Sequence, residues 1–192
     1  MKRKYKAQKG KGFLATKQQK LTAIIGLFII SIMVLSVLNS YGDNEEENYT
    51  YQGLKFYNTE AGWIANTNTQ TITIISNPKD LENISINYIP LNIMNSMEKI
   101  YLSINPEDQN REALFEFNRG LKLTPRIVTA CYEDNDQCID SPLKTCEDST
   151  ENVGVIVMKE SNVTEVSLKY NCLTIQGENL LQLVDKLILQ QI

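Results

Sequence analysis

Residues Lys99 to Tyr132 read KIYLSINPEDQNREALFEFNRGLKLTPRIVTACY, and their rhythm decides the fold. Ile100, Leu102 and Ile104 alternate with their neighbours, which predicts a strand with one buried face. Asn105-Pro106-Glu107-Asp108 has the makeup of a helix start. Asn caps, Pro suits the first turn, and acids suit the positive end of the helix dipole. Ala113, Leu114, Phe117 and Leu121 recur on one stripe, so the helix is expected to reach Leu121, with Gly120 close to its end. Ile127 to Tyr132 is the next strand. Strand, helix and strand in this order predict a βαβ crossover with parallel strands.

Toward the carboxyl end, Val153 to Met158 is nearly all apolar, as a strand buried on both faces would be. Val163 to Lys169 and Cys172 to Gln176 read as a hairpin turning at Tyr170-Asn171. From Glu178 to Gln190, the stripe Leu180, Leu181, Val184, Leu187 and Ile188 predicts a helix docked on the sheet.

Toward the amino end the pattern is looser. Tyr49 to Tyr57 reads as one strand with Gly53 as a bulge. Gly62 to Asn66 and Gln70 to Ser76 read as a hairpin around Asn66-Thr67-Asn68-Thr69, ended by Asn77-Pro78. Residues 84 to 89 suggest a further strand and residues 91 to 98 a short helix. The expected fold is α+β or α/β: one mixed-sheet domain with a βαβ unit and a carboxyl-terminal helix. The early hairpins either extend that sheet or pack beside it.

Ahead of this domain, Leu21 to Leu38 reads LTAIIGLFIISIMVLSVL, eighteen residues without a charge. As a helix this is about 27 Å, near the lower limit for crossing a bilayer. Lys20 and Tyr41 can extend it at the interfaces, and Thr22, Ser31 and Ser36 can bond back to helix carbonyls. Thr22 and Gly26 form one small-xxx-small pair, weak support for helix pairing. The first twenty residues hold eight Lys and Arg and no acid, whereas all 23 acids lie at or beyond Asp43. That asymmetry puts the tail in the cytoplasm and the domain outside. The expected organisation is 1–20 as basic tail, 21–38 as transmembrane helix, 39–48 as acidic tether and 49–192 as extracytoplasmic domain. Ser40-Tyr41-Gly42 fits a signal-peptidase site, but the apolar core is longer than a signal peptide needs. Gly10, Gly12 and Phe13-Leu14 resemble the start of a type IV prepilin, but Lys17 and Lys20 interrupt the apolar run.

Composition removes several chemistries. The chain has no histidine, so imidazole-based nucleophile activation and the common zinc sites are out of reach. The outer region is acidic and has no basic cluster, which argues against nucleic acid. Basic residues beside the apolar segment fit attraction to membrane lipid instead. No phosphate loop, dinucleotide fingerprint or nucleophile elbow is present, and no cofactor is expected.

Cys131, Cys138, Cys146 and Cys172 are even in number and lie on the oxidising side of that topology. Three pairings are possible; Cys131 with Cys138 and Cys146 with Cys172 are favoured. No C-x-x-C pair supports a metal site. The acidic stretch Glu133 to Asp140 lacks the Gly and Glu of a calcium loop: counted from Asp134, Ile139 and Thr145 fill those places. Ser141-Pro142-Leu143-Lys144 and Ser96-Met97-Glu98-Lys99 match S-x-x-K without its companion motifs. Asn48-Tyr49-Thr50, Asn83-Ile84-Ser85 and Asn162-Val163-Thr164 are glycosylation acceptors, at the frequency chance predicts.

Tyr51-Gln52-Gly53-Leu54-Lys55-Phe56, Gly62-Trp63 and Asn77-Pro78, with Asn171 to Gly177 and Asp185-Lys186, resemble a group of archaeal membrane proteins that join one amino-terminal helix to an extracytoplasmic domain. The similarity covers residues 50 to 192 and implies a location and a disulfide, but no reaction. The first functional expectation is therefore a non-enzymatic binding or assembly module of the cell envelope, with membrane lipid and an envelope protein as partners. The second is a tethered enzyme using carboxylates such as Asp134, Asp136 and Asp140. The third is a pilin-like filament subunit.

Overall fold

The computed structural model describes residues 17–41, 48–108 and 110–192, with side chains of the first helix described from Leu21 to Val37. The basic tail through Thr16, the prepilin-like residues and most of the acidic tether lie outside the described residues. The chain divides into two units, Met1–Glu45 and Glu46–Ile192.

The first unit is the helix α1 (Lys17–Tyr41). It starts before the expected span and runs past it. All its described side chains except Gly26 are exposed, and Ser36 Oγ donates to Ile32 O at 2.9 Å, as a hydroxyl inside an apolar helix should. Among the described residues no helix is long and apolar enough to cross a membrane. The described apolar side chains of α1 stop at Val37, one short of the expected span.

The second unit is a mixed α+β domain with two sheets. The first sheet is an antiparallel meander of β1 (Asn48–Tyr51), β2 (Leu54–Thr59), β3 (Gly62–Asn66) and β4 (Thr71–Ile74), in that order. The single strand expected over Tyr49 to Tyr57 is therefore a hairpin. Gln52 and Gly53 both have positive φ, 46° and 84°, and make a two-residue turn whose twist matches the strands. The inner face carries Phe56, Trp63, Ala65, Ile72 and Ile74, all buried.

The short helix α2 (Asn92–Asn95) leads into the second sheet: β5 (Lys99–Ile104), β6 (Arg126–Cys131), β7 (Val153–Glu160), β8 (Glu165–Lys169) and β9 (Cys172–Gly177), ordered β6-β5-β7-β9-β8. β5 is parallel to both β6 and β7, β7 is parallel to β9, and only β8 is antiparallel. The expected βαβ unit is present, with α3 (Arg111–Gly120) as its crossover helix. The helix starts later than expected because Asn105 makes a turn instead: its Oδ1 accepts the Glu107 amide at 3.0 Å, and the Asp108 amide reaches Asn105 O at 3.1 Å. The hairpin at Tyr170-Asn171 forms as expected, with φ of 47° and 62°. β7 is the interior strand its sequence promised, with Val155, Ile156 and Met158 fully buried.

The last helix, α4 (Leu180–Leu189), is capped by Asn179, whose Oδ1 accepts the Gln182 amide at 3.2 Å. α4 packs on α3, β7 and β9, and α3 also reaches β4. The two helices thus stand between the sheets, and one core takes residues from both. Seven of the ten α4 residues are buried, as a helix covered on several sides requires. Gly120 is where α3 and α4 come closest: any Cβ there would strike Ile188.

The strand expected at 84–89 does not form. This segment has no regular structure, and its carbonyls are claimed by side chains rather than by a partner strand. Gln190 Nε2 donates to Ile86 O at 3.1 Å and Asn87 O at 3.2 Å, and Gln191 Nε2 donates to Ile89 O at 3.1 Å.

Candidate functional site

In open α/β sheets ligands bind beyond the carboxyl ends of parallel strands, where the chain connections diverge. Here that point lies between β5, which leads on to β6, and β7, which leads the other way to β9. Side chains at the ends of β5 and β6 bond to one another beside this point. Asn105 Nδ2 donates to Glu133 Oε1 at 2.7 Å, and Asn135 Nδ2 donates to Asn105 Oδ1 at 2.9 Å. Tyr132 Oη donates to Asp108 Oδ2 at 3.0 Å, and Lys159 Nζ stands 5.4 Å from the Tyr132 ring centre. Burial and the hydrogen bond to Asp108 push the Tyr132 phenol well above its ordinary range, so it stays a donor. These groups spend much of their hydrogen-bonding capacity on one another.

The sequence-derived candidates sit around this network. Cys131 pairs with Cys138 and Cys146 with Cys172, with Cα–Cα distances of 6.2 and 5.2 Å. These are the favoured pairings. The first closes the acidic loop; the second ties the long crossover after β6 to the start of β9. Asp134, Asp136 and Asp140 point outward from the loop, all exposed, and none lines a cleft. Among the described residues no three carboxylates or thiols come close enough together to hold a metal ion.

Neither S-x-x-K lysine is free for base chemistry. Lys144 Nζ pairs with Asp148 Oδ1 at 2.9 Å, and this hydrogen bond raises its pKa. Lys99 Nζ lies 2.6 Å from Tyr101 Oη, a contact that lowers the tyrosine pKa. Ser96 Oγ donates to Ile93 O at 2.7 Å, inside its own turn.

Three clefts are open. One of about 420 Å³ lies along β4 beside Arg119 and Ile188, and one of about 260 Å³ lies at the amino ends of α3 and α4, edged by Glu112, Glu160 and Glu178. The third, about 410 Å³, runs beside β8. One wall is Val166 to Asn171; the other is the irregular segment Asn87 to Pro90, with Ile93. Tyr88 and Tyr170 stand at this groove 68% and 94% exposed. β8 is an edge strand paired only with β9. In a hairpin closed by Lys169 and Cys172, bonded pairs alternate outward from the turn, so the backbone groups of Val166 and Leu168 face the groove side. Lys169 is the charged side chain on these walls, and its Nζ lies 3.8 Å from Glu165 Oε1 on the same strand.

Sequence reasoning missed one feature. Glu116 and Asp185 are both fully buried, on α3 and α4. Burial pushes the Asp185 carboxyl up to about 7; hydrogen bonding from Ser76 opposes the rise, and the charge and hydrogen bond of Glu116 add to it. The available signal was a lone acid inside LLQLVDKLIL, a helix too apolar to have a wet side.

Compared with protein-family models, with curated proteins and with solved structures, the chain matches none, and the likeness to archaeal membrane proteins gains no support there.

Proposed function

We propose that the chain is a membrane-anchored, disulfide-stapled binding domain that holds an extended segment of an envelope protein in the groove beside β8. In this reading residues 21–38 cross the bilayer, the basic tail lies in the cytoplasm, and the domain faces outward. The anchor reading is supported by α1 itself. Leu27, Ile24 and Phe28 are 74%, 66% and 65% exposed, and the helix is apolar on every side, so it offers water no polar face.

The binding reading is carried by one observation: an open edge strand forming the wall of a groove with two exposed tyrosines. Strand addition takes affinity from main-chain hydrogen bonds and selectivity from alternate side chains. Tyrosine adds contact area at little entropic cost, and Lys169, held only by an exposed contact to Glu165 at 3.8 Å, favours a neutral or acidic segment. The tethered-enzyme reading gains nothing from Asp134, Asp136 and Asp140, which are spread over a loop surface.

Two measurements test this. A membrane-impermeant amine reagent applied to whole cells should label Lys159 and Lys169, and the chain should resist carbonate extraction. Failure of either removes the anchor. A photoreactive residue in place of Tyr88 in the full chain should crosslink to one contiguous segment of a protein, and Lys169→Glu should weaken the yield. Equal yield from a probe at Asp136, exposed on the loop after β6 at the opposite edge of the sheet, would remove the binding site.

A further inference from the structure

The two inner helices pack on each other, and each carries a fully buried carboxyl, Glu116 on α3 and Asp185 on α4. Arg119 Nη2 lies 2.7 Å from Glu116 Oε1 and 2.6 Å from Oε2. Asp185 accepts the Ser76 amide through Oδ2 at 2.7 Å, while its buried Oδ1 has no donor among the described residues. An ionised Asp185 would leave that oxygen's charge unanswered, whereas a protonated one can donate to a carboxylate acceptor. With one proton, the two carboxyls and the guanidinium sum to neutral. Without it, one negative charge is left over in an apolar layer.

Nothing nearby can neutralise that surplus. Arg119 is the facing cation on α3. Lys186, next to Asp185 on α4, is turned to Tyr51 Oη and Leu81 O, each at 2.7 Å. β4 and β9 contain no free ionisable side chain. Lys159 and Glu160 lie at the far end of β7, over Tyr132 and at the small acidic cleft.

We infer that Glu116 and Asp185 hold a single proton between them, and that their junction with Ser76 is a pH-sensitive latch joining the first sheet to the helix layer. The latch is closed while the proton is shared. When it leaves, the proton goes to solvent, and the two carboxylates repel across the α3–α4 contact. Asp185 titrates near 7, so the latch works around neutrality.

The test uses the full chain in detergent micelles. The amide resonance of Ser76 reports the charge on Asp185. It should titrate with a midpoint near neutral pH. In Glu116→Gln the neutral amide can donate to Asp185, and the midpoint should fall by more than one pH unit. A wild-type midpoint below pH 5, or one that Glu116→Gln leaves in place, overturns the shared proton. Hydrogen exchange on the unmodified chain serves if the variant does not fold. After correction for intrinsic rates, α3 and α4 should lose at least about tenfold protection between pH 5.5 and pH 8. Equal or greater protection at pH 8 overturns the latch.

Discussion

The amide of Ser76 lies 2.7 Å from Oδ2 of Asp185, which follows it by 109 residues in the chain. This bond ties the end of the first sheet to α4, which also packs on β7 and β9 of the second. Asp185→Ala should cost about 1–3 kcal/mol, because it strands a buried amide. Asp185→Asn keeps an acceptor and carries no charge, so at pH 8 it should be at least as stable as the wild type. Denaturant titration of the three proteins at that pH checks both outcomes.

Stability should peak on the acid side of neutrality. Asp185 is raised from 3.8 to about 7, so the folded state holds its proton more tightly than the unfolded chain. That contribution is whole below about pH 4, shrinks as pH rises and is gone above about 7, amounting to roughly 4 kcal/mol at most. Asp148 acts in the opposite sense. The Thr145 amide and Lys144 hold its carboxyl below its usual range, so its contribution is lost only as pH falls below about 4. Urea midpoints from pH 3 to 9 should therefore be highest near pH 4–5 and decline toward 7.

Gly120→Ala should destabilise by about 1–3 kcal/mol, since the new methyl meets the Ile188 side chain. That side chain can be shortened. Ile188→Val or Ile188→Ala in the same chain should recover part of the loss, and thermal melts of the single and double variants would show the coupling.

Replacing Cys146 and Cys172 together by serine should cost roughly 3 kcal/mol, given the 26-residue separation they close. Replacing Cys131 and Cys138 closes a separation of only 7 residues and should cost less. The ranking of the two double variants in urea is the measurement; the opposite order would sink the loop-length account.

Much of the second sheet was legible because its signals are local. The βαβ unit, the buried β7 and the Tyr170-Asn171 turn each follow from a short run of residues. The first sheet was harder. Gln52-Gly53 is a turn whose first residue rarely takes positive φ, so Tyr49 to Tyr57 looks like one bulged strand. Residues 84–89 alternate like a strand, yet alternation says nothing of who accepts the hydrogen bonds. Their acceptors meet Gln190 and Gln191, more than a hundred residues away. Asn105 was misread because a capping residue and an Asx turn use the same side chain in much the same way. The Glu116–Asp185 pair was hidden for the same reason as the sheets' arrangement: it depends on two helices meeting, which periodicity does not report.

The order in which the molecule is synthesised sets a constraint on how it can mature. Every strand is made before α4, which holds Ser76, Leu81 and the 86–89 backbone in place. While the chain is still emerging, the meander lacks the part of its cover that α4 supplies. A chaperone, or delayed release, has most to protect in that interval, and nonsense truncation anywhere upstream of Leu180 would leave the meander in that state permanently.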